Sequence, residues 1–369
     1  MNIDLTDTTS GEINSTLVTA RRAMGSPAVG MVLTLVIVTD EGSHYDALKA
    51  ANEASKEHPS RILVVVRRPG RSPRDRATAR LDAEVRVGGE TGTGETVLLR
   101  LHGELAGHAH SVVLPLLLPD APVVVWWPAD APEHPSKDPL GALAQRRITD
   151  AAETEDPVSA LRLRALSYAP GDTDLAWTRV TLWRSVLAAA LDQGQTPITG
   201  AAVEGEEYNP SVELLALWLA ARLEVPVRRV VSEGPGITAV RMATGEGDVC
   251  LVRGSGSLAR LSVPGQPDRG VALHRRSTAE LIAEELRRLD PDETYAQAVG
   301  FGLDRLERPG AAAATGGAAE PAQDAEPAQE PAQEPAQEPA AEPAGGAGSP
   351  AAKGAGRSRA KRSGRKEAR

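Results

Sequence analysis

Cysteine is almost missing from this chain of 369 residues, with Cys250 its single example. One thiol excludes an internal disulfide framework and every zinc or iron–sulfur site built from several cysteines. Aromatic residues make up only 3% of the chain. No apolar run approaches the roughly 18 residues of a membrane span, so no membrane association is expected. Lysine is scarce, 6 against 35 arginines. Beside abundant Ala, Gly and Pro, that bias reads as the mark of a GC-rich genome. The opening MNIDLTDTTSGEIN has neither the basic nor the apolar region of a secretory signal. The expectation is a soluble, cytoplasmic protein.

An excess of basic charge is also lacking, since the formal net charge is −9. From Gly310 to Ala352 there are 7 acidic residues and no basic one, and from Lys353 to Arg369 there are 8 basic residues and one acidic. These two runs cancel, so the part before them carries the whole −9. An acidic body argues against a nucleic-acid reader there, because phosphate contacts need a basic face. Only the tip Lys353–Arg369 has the charge for nucleic acid or another anionic surface.

Three regions are expected. Residues 309–369 repeat Gln-Glu-Pro-Ala before the basic tip, with too little apolar surface to offset ordering entropy, and read as a disordered tail. Residues 1–166 read as an α/β domain containing a mixed sheet. Its apolar runs Met31–Val38 and Arg61–Arg67 flank a helix over Ser43–Glu57, which makes a βαβ unit of parallel buried strands. An N-terminal helix is expected over Glu12–Met24, and an antiparallel hairpin follows from Leu81–Val87 and Thr96–His102 around a Gly-rich turn. Pro122–Trp127 is a further buried strand, and helices are expected over Pro139–Arg147 and Pro157–Leu166. A Pro/Gly/Asp cluster at Ser167–Asp174 marks the boundary. Residues 167–308 read as an α+β domain. It opens with a helix over Asp174–Asp192, then a strand at Ile198–Val203, a helix over Asn209–Leu223, an antiparallel meander and two closing helices.

Catalytic motifs are sparse. GGETGTGE lacks the GK[ST] ending of a phosphate loop and lies between strands. No GxSxG elbow is present. His102, His108 and His110 lack the helical spacing of a metal pair, so no metal or cofactor is expected. Cys250 lies in an apolar strand and reads as a small buried hydrophobe.

The densest chemical signal is DTDLAWTRVTLWR, Asp172–Arg184. Trp177, Val180, Trp183, Leu187 and Leu191 make one helical stripe, and Arg184 falls about 20° from the direction of Trp177. A guanidinium on a buried face needs an anion. Asp172 and Asp150 are candidate internal acceptors, and a phosphate or a partner carboxylate is the functional alternative. Arg179 is placed to stack on Trp183. Trp126 and Trp127 are neighbours on a strand, so they point to opposite faces and one of them faces outward unless covered.

Four segments carry a resemblance to a known family. They are HPSRILVVV (58–66), LPLLLPDAPVVVWWP (114–128), LAQRRITDA (143–151) and GDTDLAWTRVTLWRSVLAAALD (171–192). Residues 1 to about 308 resemble the glucose-6-phosphate dehydrogenase assembly protein family, OpcA, and the composition suits its actinobacterial branch. The resemblance implies a non-catalytic partner of glucose-6-phosphate dehydrogenase that promotes its active assembly or activates it allosterically, at the entry to the oxidative pentose phosphate pathway. It puts Trp126, Trp127, Trp177, Arg179, Trp183 and Arg184 forward as the partner-binding face. The thiol control linked to cyanobacterial relatives does not carry over as an internal disulfide, because Cys250 has no partner cysteine. The rival reading is an enzyme or sensor for a sugar phosphate, with Arg179 and Arg184 as phosphate ligands.

Overall fold

The fold is that of a computed structural model, which describes residues 1–24, 30–88, 94–192, 197–254 and 256–302. The tail expected over 309–369 and the turn of the first hairpin lie outside the described residues.

The first part of the chain runs β1 (Asn2–Leu5), α1 (Ser10–Met24), β2 (Leu33–Thr39), α2 (His44–Ala54), β3 (Ser60–Arg68), α3 (Pro73–Arg76), β4 (Ala79–Val87), β5 (Glu95–Gly103), α4 (Ala109–Val113), β6 (Val123–Trp126), β7 (Arg146–Thr149), α5 (Pro157–Leu166) and β8 (Asp172–Asp174). These strands form one eight-stranded sheet in the order β1-β4-β5-β3-β2-β6-β7-β8. Neighbours from β5 to β8 pair parallel, while β4 and β1 are added antiparallel at one edge.

Both faces of this sheet are covered, which is why its central strands read as continuous apolar runs rather than as alternation. Leu33, Leu35, Ile37, Ile62, Val64, Val66, Val124 and Trp126 face one core, closed by α2. Val36, Val38, Leu63, Val65, Val123, Val125 and Trp127 face the other, closed by α1, α4 and Leu140. The period-2 geometry of a strand thus sends the two adjacent tryptophans to opposite cores. Neither faces outward, so the covered alternative is the one met, because each side of the sheet carries its own cover.

The chain continues with α6 (Leu175–Arg179), α7 (Thr181–Leu191), β9 (Ile198–Gly205), α8 (Pro210–Leu223), β10 (Val227–Val231), β11 (Ile237–Thr244), β12 (Gly247–Arg253), β13 (Leu258–Ser262), β14 (Arg269–Ala272), α9 (Thr278–Arg287) and α10 (Glu293–Phe301). The second sheet has the order β10-β9-β11-β12-β13-β14. The expected meander is β11 to β14, but β10 pairs parallel with β9 through α8. Its core joins α6, α7, α8 and α10 to the sheet around Trp177, Trp183, Trp218 and Tyr295.

Two expected helices change. Pro139–Arg147 contains only a short 3-10 turn at Gly141–Leu143, and Arg146–Thr149 becomes β7 because it completes ladders with β6 and β8. Glycine stands at that turn for want of space, since a Cβ on Gly141 would sit 1.8 Å from the Pro135 carbonyl oxygen and 3.1 Å from Trp127 Cη2. The helix expected over Asp174–Asp192 breaks at Val180 into α6 and α7. At the break the Thr178 carbonyl accepts from Arg276, a side chain nearly a hundred residues away.

The Pro/Gly/Asp cluster at Ser167–Asp174 does not end the first sheet, because Asp172–Asp174 is its last strand. Further on, α9 lays Leu281, Ile282 and Leu286 into the same core as α2 and β2.

Candidate functional site

The Asp172–Arg184 block lies where the last strand of the first sheet turns into the helices of the second. Asp174 caps α6 and accepts from Thr149 Oγ1 at 2.6 Å, Ala151 N at 3.0 Å and Ala176 N at 2.9 Å. These donors favour its charged form. Burial, with the Asp150 charge adding to it, outweighs them and pushes the Asp174 carboxyl up to about 6.

The remaining charges are joined in pairs. Arg179 forks onto Asp150, with Nη1 and Nη2 at 2.6 and 2.7 Å from the two carboxylate oxygens. Arg147 bonds Asp172. Arg146 on β7 holds Glu285 on α9 at 2.5 Å, and Thr178 donates to the other oxygen of Glu285 at 2.6 Å. The Trp177 indole donates to Asp292 at 2.7 Å. Arg276 reaches Glu284 as well as the Thr178 carbonyl. Planar guanidinium–carboxylate forks give such contacts fixed geometry.

Arg184 stands apart. It stacks on Trp177, with its guanidinium carbon 3.7 Å from the ring centroid. The seven-residue spacing made that neighbourhood legible. Neither expected acceptor serves it, because Asp150 is taken by Arg179 and Asp172 by Arg147. Its hydrogen bond goes to Thr181 at 3.1 Å, and its Nε is buried without a partner. Burial lowers its pKa to about 10. Arg179 does not stack on Trp183; Arg253 does, at 4.8 Å.

Trp126, Trp127, Trp177 and Trp183 are each 1% exposed. As packed here they form core, not surface. Of the six residues put forward, Arg179 and Trp183 line a common cavity. That cavity, about 200 Å³, also includes Arg253, His274, Arg275 and Arg276. Sequence reading missed these four. For three of them the available signal was His-Arg-Arg-Ser directly before α9, whose Ser277 and Glu280 form a capping box and so fix where the basic residues stand; Arg253 ends β12.

A second cavity, about 320 Å³, opens beyond the carboxyl ends of β2, β6 and β7. There the connections from β2 and β6 diverge, which is the place where doubly wound sheets bind nucleotides. Asp46, Asp150 and Glu153 line it. The turn after β2 reads Asp40-Glu41-Gly42-Ser43; Gly42 and Ser43 border this cavity, while Asp40 and Glu41 line a separate one with Arg67, Arg68, Arg71 and Arg80. Among the described residues no cluster of His, Cys, Asp and Glu could hold a metal ion. His102 bonds Asp82 at 3.0 Å. Cys250 is half-buried, its Sγ 3.7 Å from Arg241 Nη1 across the ladder, rather than fully buried as expected.

Two family models match the chain. Residues 51–166 match the glucose-6-phosphate dehydrogenase subunit N-terminal domain, and residues 170–299 match the C-terminal domain of the same subunit. The chain belongs to the OpcA family of glucose-6-phosphate dehydrogenase assembly proteins. All six residues put forward for the partner face fall inside the matched segments. No curated protein matches the chain. Among solved structures it is similar to a 3-ketoreductase of Actinomadura kijaniata, KijD10, at 13% identity and a TM-score of 0.43, over 74% of this chain and 96% of that one. It is also similar to an oxidoreductase of Sinorhizobium meliloti, at 10% identity and a TM-score of 0.37, over 73% and 86% of the two chains. Among the described residues no helix is long and apolar enough to cross a membrane.

Proposed function

We propose that this OpcA-family protein is a non-catalytic assembly factor of glucose-6-phosphate dehydrogenase, and that it activates the enzyme allosterically in the cytoplasm. The observation that carries this reading is the family match over both halves of the body. The crevice at the strand ends is in keeping with it, because the place where a doubly wound sheet would seat a dinucleotide carries the carboxylates Asp46 and Glu153, beside an Asp150 paired with Arg179.

An activator works through differential affinity for two states of its target. It needs a rigid surface rather than a nucleophile. Here the Asp150–Arg179 pair ties the block to the first sheet, and Glu285, paired with Arg146, ties it to α9 by accepting from Thr178. The buried tryptophans serve the same end as core anchors, which leaves the half-buried Arg179, Thr181, Leu182 and Arg184 for contact. The 1–166 and 167–308 division remains a proposal about folding units, with β8 and α9 as the elements that cross it.

The test is a dehydrogenase assay with the matching purified enzyme, titrated with this protein over a range of glucose 6-phosphate concentrations. A saturable rise in rate, or a fall in half-saturating substrate, is expected together with co-elution on size exclusion. An unchanged rate with no co-elution overturns the reading.

A further inference from the structure

The cavity beside Trp183 holds positive charge that the chain leaves unbalanced. Its lining contains Arg179, Arg253, His274, Arg275 and Arg276 and no carboxylate. Three of these have an acid elsewhere: Arg179 on Asp150, Arg276 on Glu284, and His274 with Nε2 3.5 Å from Glu280. Arg253 and Arg275 have none among the described residues. Arg275 donates to the Pro235 carbonyl at 2.8 Å. The guanidinium of Arg253 lies over the Trp183 ring, and its Nε is shielded from solvent with no hydrogen-bond partner. Burial, and then the like charge of Arg275, press Arg253 down to about 10.

Two cations held together, one of them partly out of water, cost free energy that an arriving anion offsets. Other features of the cavity favour the same charge. The N-cap Asn209 and the first-turn Ser211 of the 14-residue helix α8 also line the cavity, where the Ser211 amide donates to Asn209 Oδ1, and a helix N-terminus carries partial positive charge. Gly236, at φ +64, borders the cavity, and nothing lies within 4 Å of where its Cβ would stand. The volume, about 200 Å³, is below the roughly 300–1,000 Å³ of pockets that engulf a drug-sized ligand. It suits a charged group with the rest of its molecule in solvent. A guanidinium fork matches the oxygens of phosphate in two places at once.

We propose that Arg253 and Arg275, over the floor made by Trp183, bind the phosphate group of a small phosphate monoester in this cavity. The protein is then sensitive to a phosphorylated metabolite as well as to its enzyme partner. This site lies apart from the acidic crevice at the strand ends and includes Arg179 but not Arg184.

The experiment is calorimetric titration of the full chain, without the dehydrogenase, with inorganic phosphate and with glucose 6-phosphate at low ionic strength. Its outcome is therefore independent of the assembly reading. Saturable binding of glucose 6-phosphate is expected. Binding of inorganic phosphate as well shows that the phosphate group suffices; its failure alone shows that the sugar contributes. Arg253→Met and Arg275→Ala should each weaken binding about tenfold or more, the usual effect of losing a charge-assisted contact. Arg260→Ala, at an exposed arginine 3.8 Å from Asp268, should leave binding unchanged. The melting temperature of Arg253→Met without ligand should match or exceed that of the parent, which separates lost binding from lost fold. No saturable heat at millimolar concentrations of either probe overturns the proposal. So does binding that survives both substitutions undiminished. Loss of dehydrogenase activation in both variants, with no phosphate binding by the parent, also overturns it and assigns the two arginines to a protein contact.

Discussion

The guanidinium of Arg184 lies over the Trp177 ring across two turns of broken helix, its carbon 3.7 Å from the ring centroid, with no carboxylate bonded to the cation. The ring quadrupole and the Thr181 hydroxyl are what hold a cation in a partly buried place. A desolvated contact of this kind is worth about 2 kcal/mol. Arg184→Ala is expected to lose this and some packing, about 2–3 kcal/mol in urea unfolding. Arg184→Met, which keeps the bulk and removes the unbonded Nε, should recover most of the loss. A methionine variant less stable than the alanine variant would contradict this account.

Glu285 binds α9 to the first sheet through Arg146, with side chains 6% and 5% exposed. Removing one partner strands the other charge out of water. Glu285→Ala should therefore cost about 3–5 kcal/mol, whereas Glu285→Gln keeps the Thr178 contact and should cost less. Denaturant midpoints compared at constant slope would decide the order.

Asp174 gives a pH dependence with a definite sign. Its carboxyl is raised from 3.8 to about 6 by burial and by Asp150. Between those values the folded chain holds a proton that the unfolded chain has released. The contribution of Asp174 to stability is thus full below 3.8 and is lost as pH rises through 6, by roughly 3 kcal/mol at about 1.4 kcal/mol per unit. Asp174→Asn, which can still cap α6, should flatten the dependence of melting temperature on pH between 4 and 6. An unchanged slope in that window would count against the raised value.

Gly141→Ala should destabilise by about 1–3 kcal/mol, because the new methyl meets the Pro135 carbonyl and the Trp127 ring. Quenching of tryptophan fluorescence by iodide should rise in this variant if Trp127 is displaced from its cover.

Much of the first sheet was legible because its physics is local. β2, β3 and β6 are apolar runs, and only strands buried on both faces need them. β7 was not, because Arg146 and Arg147 hide a buried strand behind two charges whose partners, Glu285 and Asp172, lie far along the chain. The same limit applies at the site. The Arg184–Trp177 contact follows from helical spacing, since both residues lie on one block. The pairing of Arg179 with Asp150 rather than stacking on Trp183 depends on where a loop of the first sheet ends. The arginine cavity combines β12, α8 and the segment before α9, and no window of sequence contains all three. Trp126 and Trp127 show the converse. Their opposite directions follow from strand geometry, but their burial depends on covers that come from elsewhere in the chain.

The placing of α9 under the first sheet has a consequence in time. During synthesis the parallel strands through Thr149 emerge first, and the residues Leu281, Ile282 and Leu286 that close their core follow about 140 residues later. At 5–20 residues per second, the nascent sheet waits roughly 7–28 s with part of an apolar face uncovered and Arg146 without its carboxylate. The second half of the chain is therefore part of what completes the folding of the first, and a ribosome stalled between β8 and α9 would hold a sticky intermediate, not a finished domain.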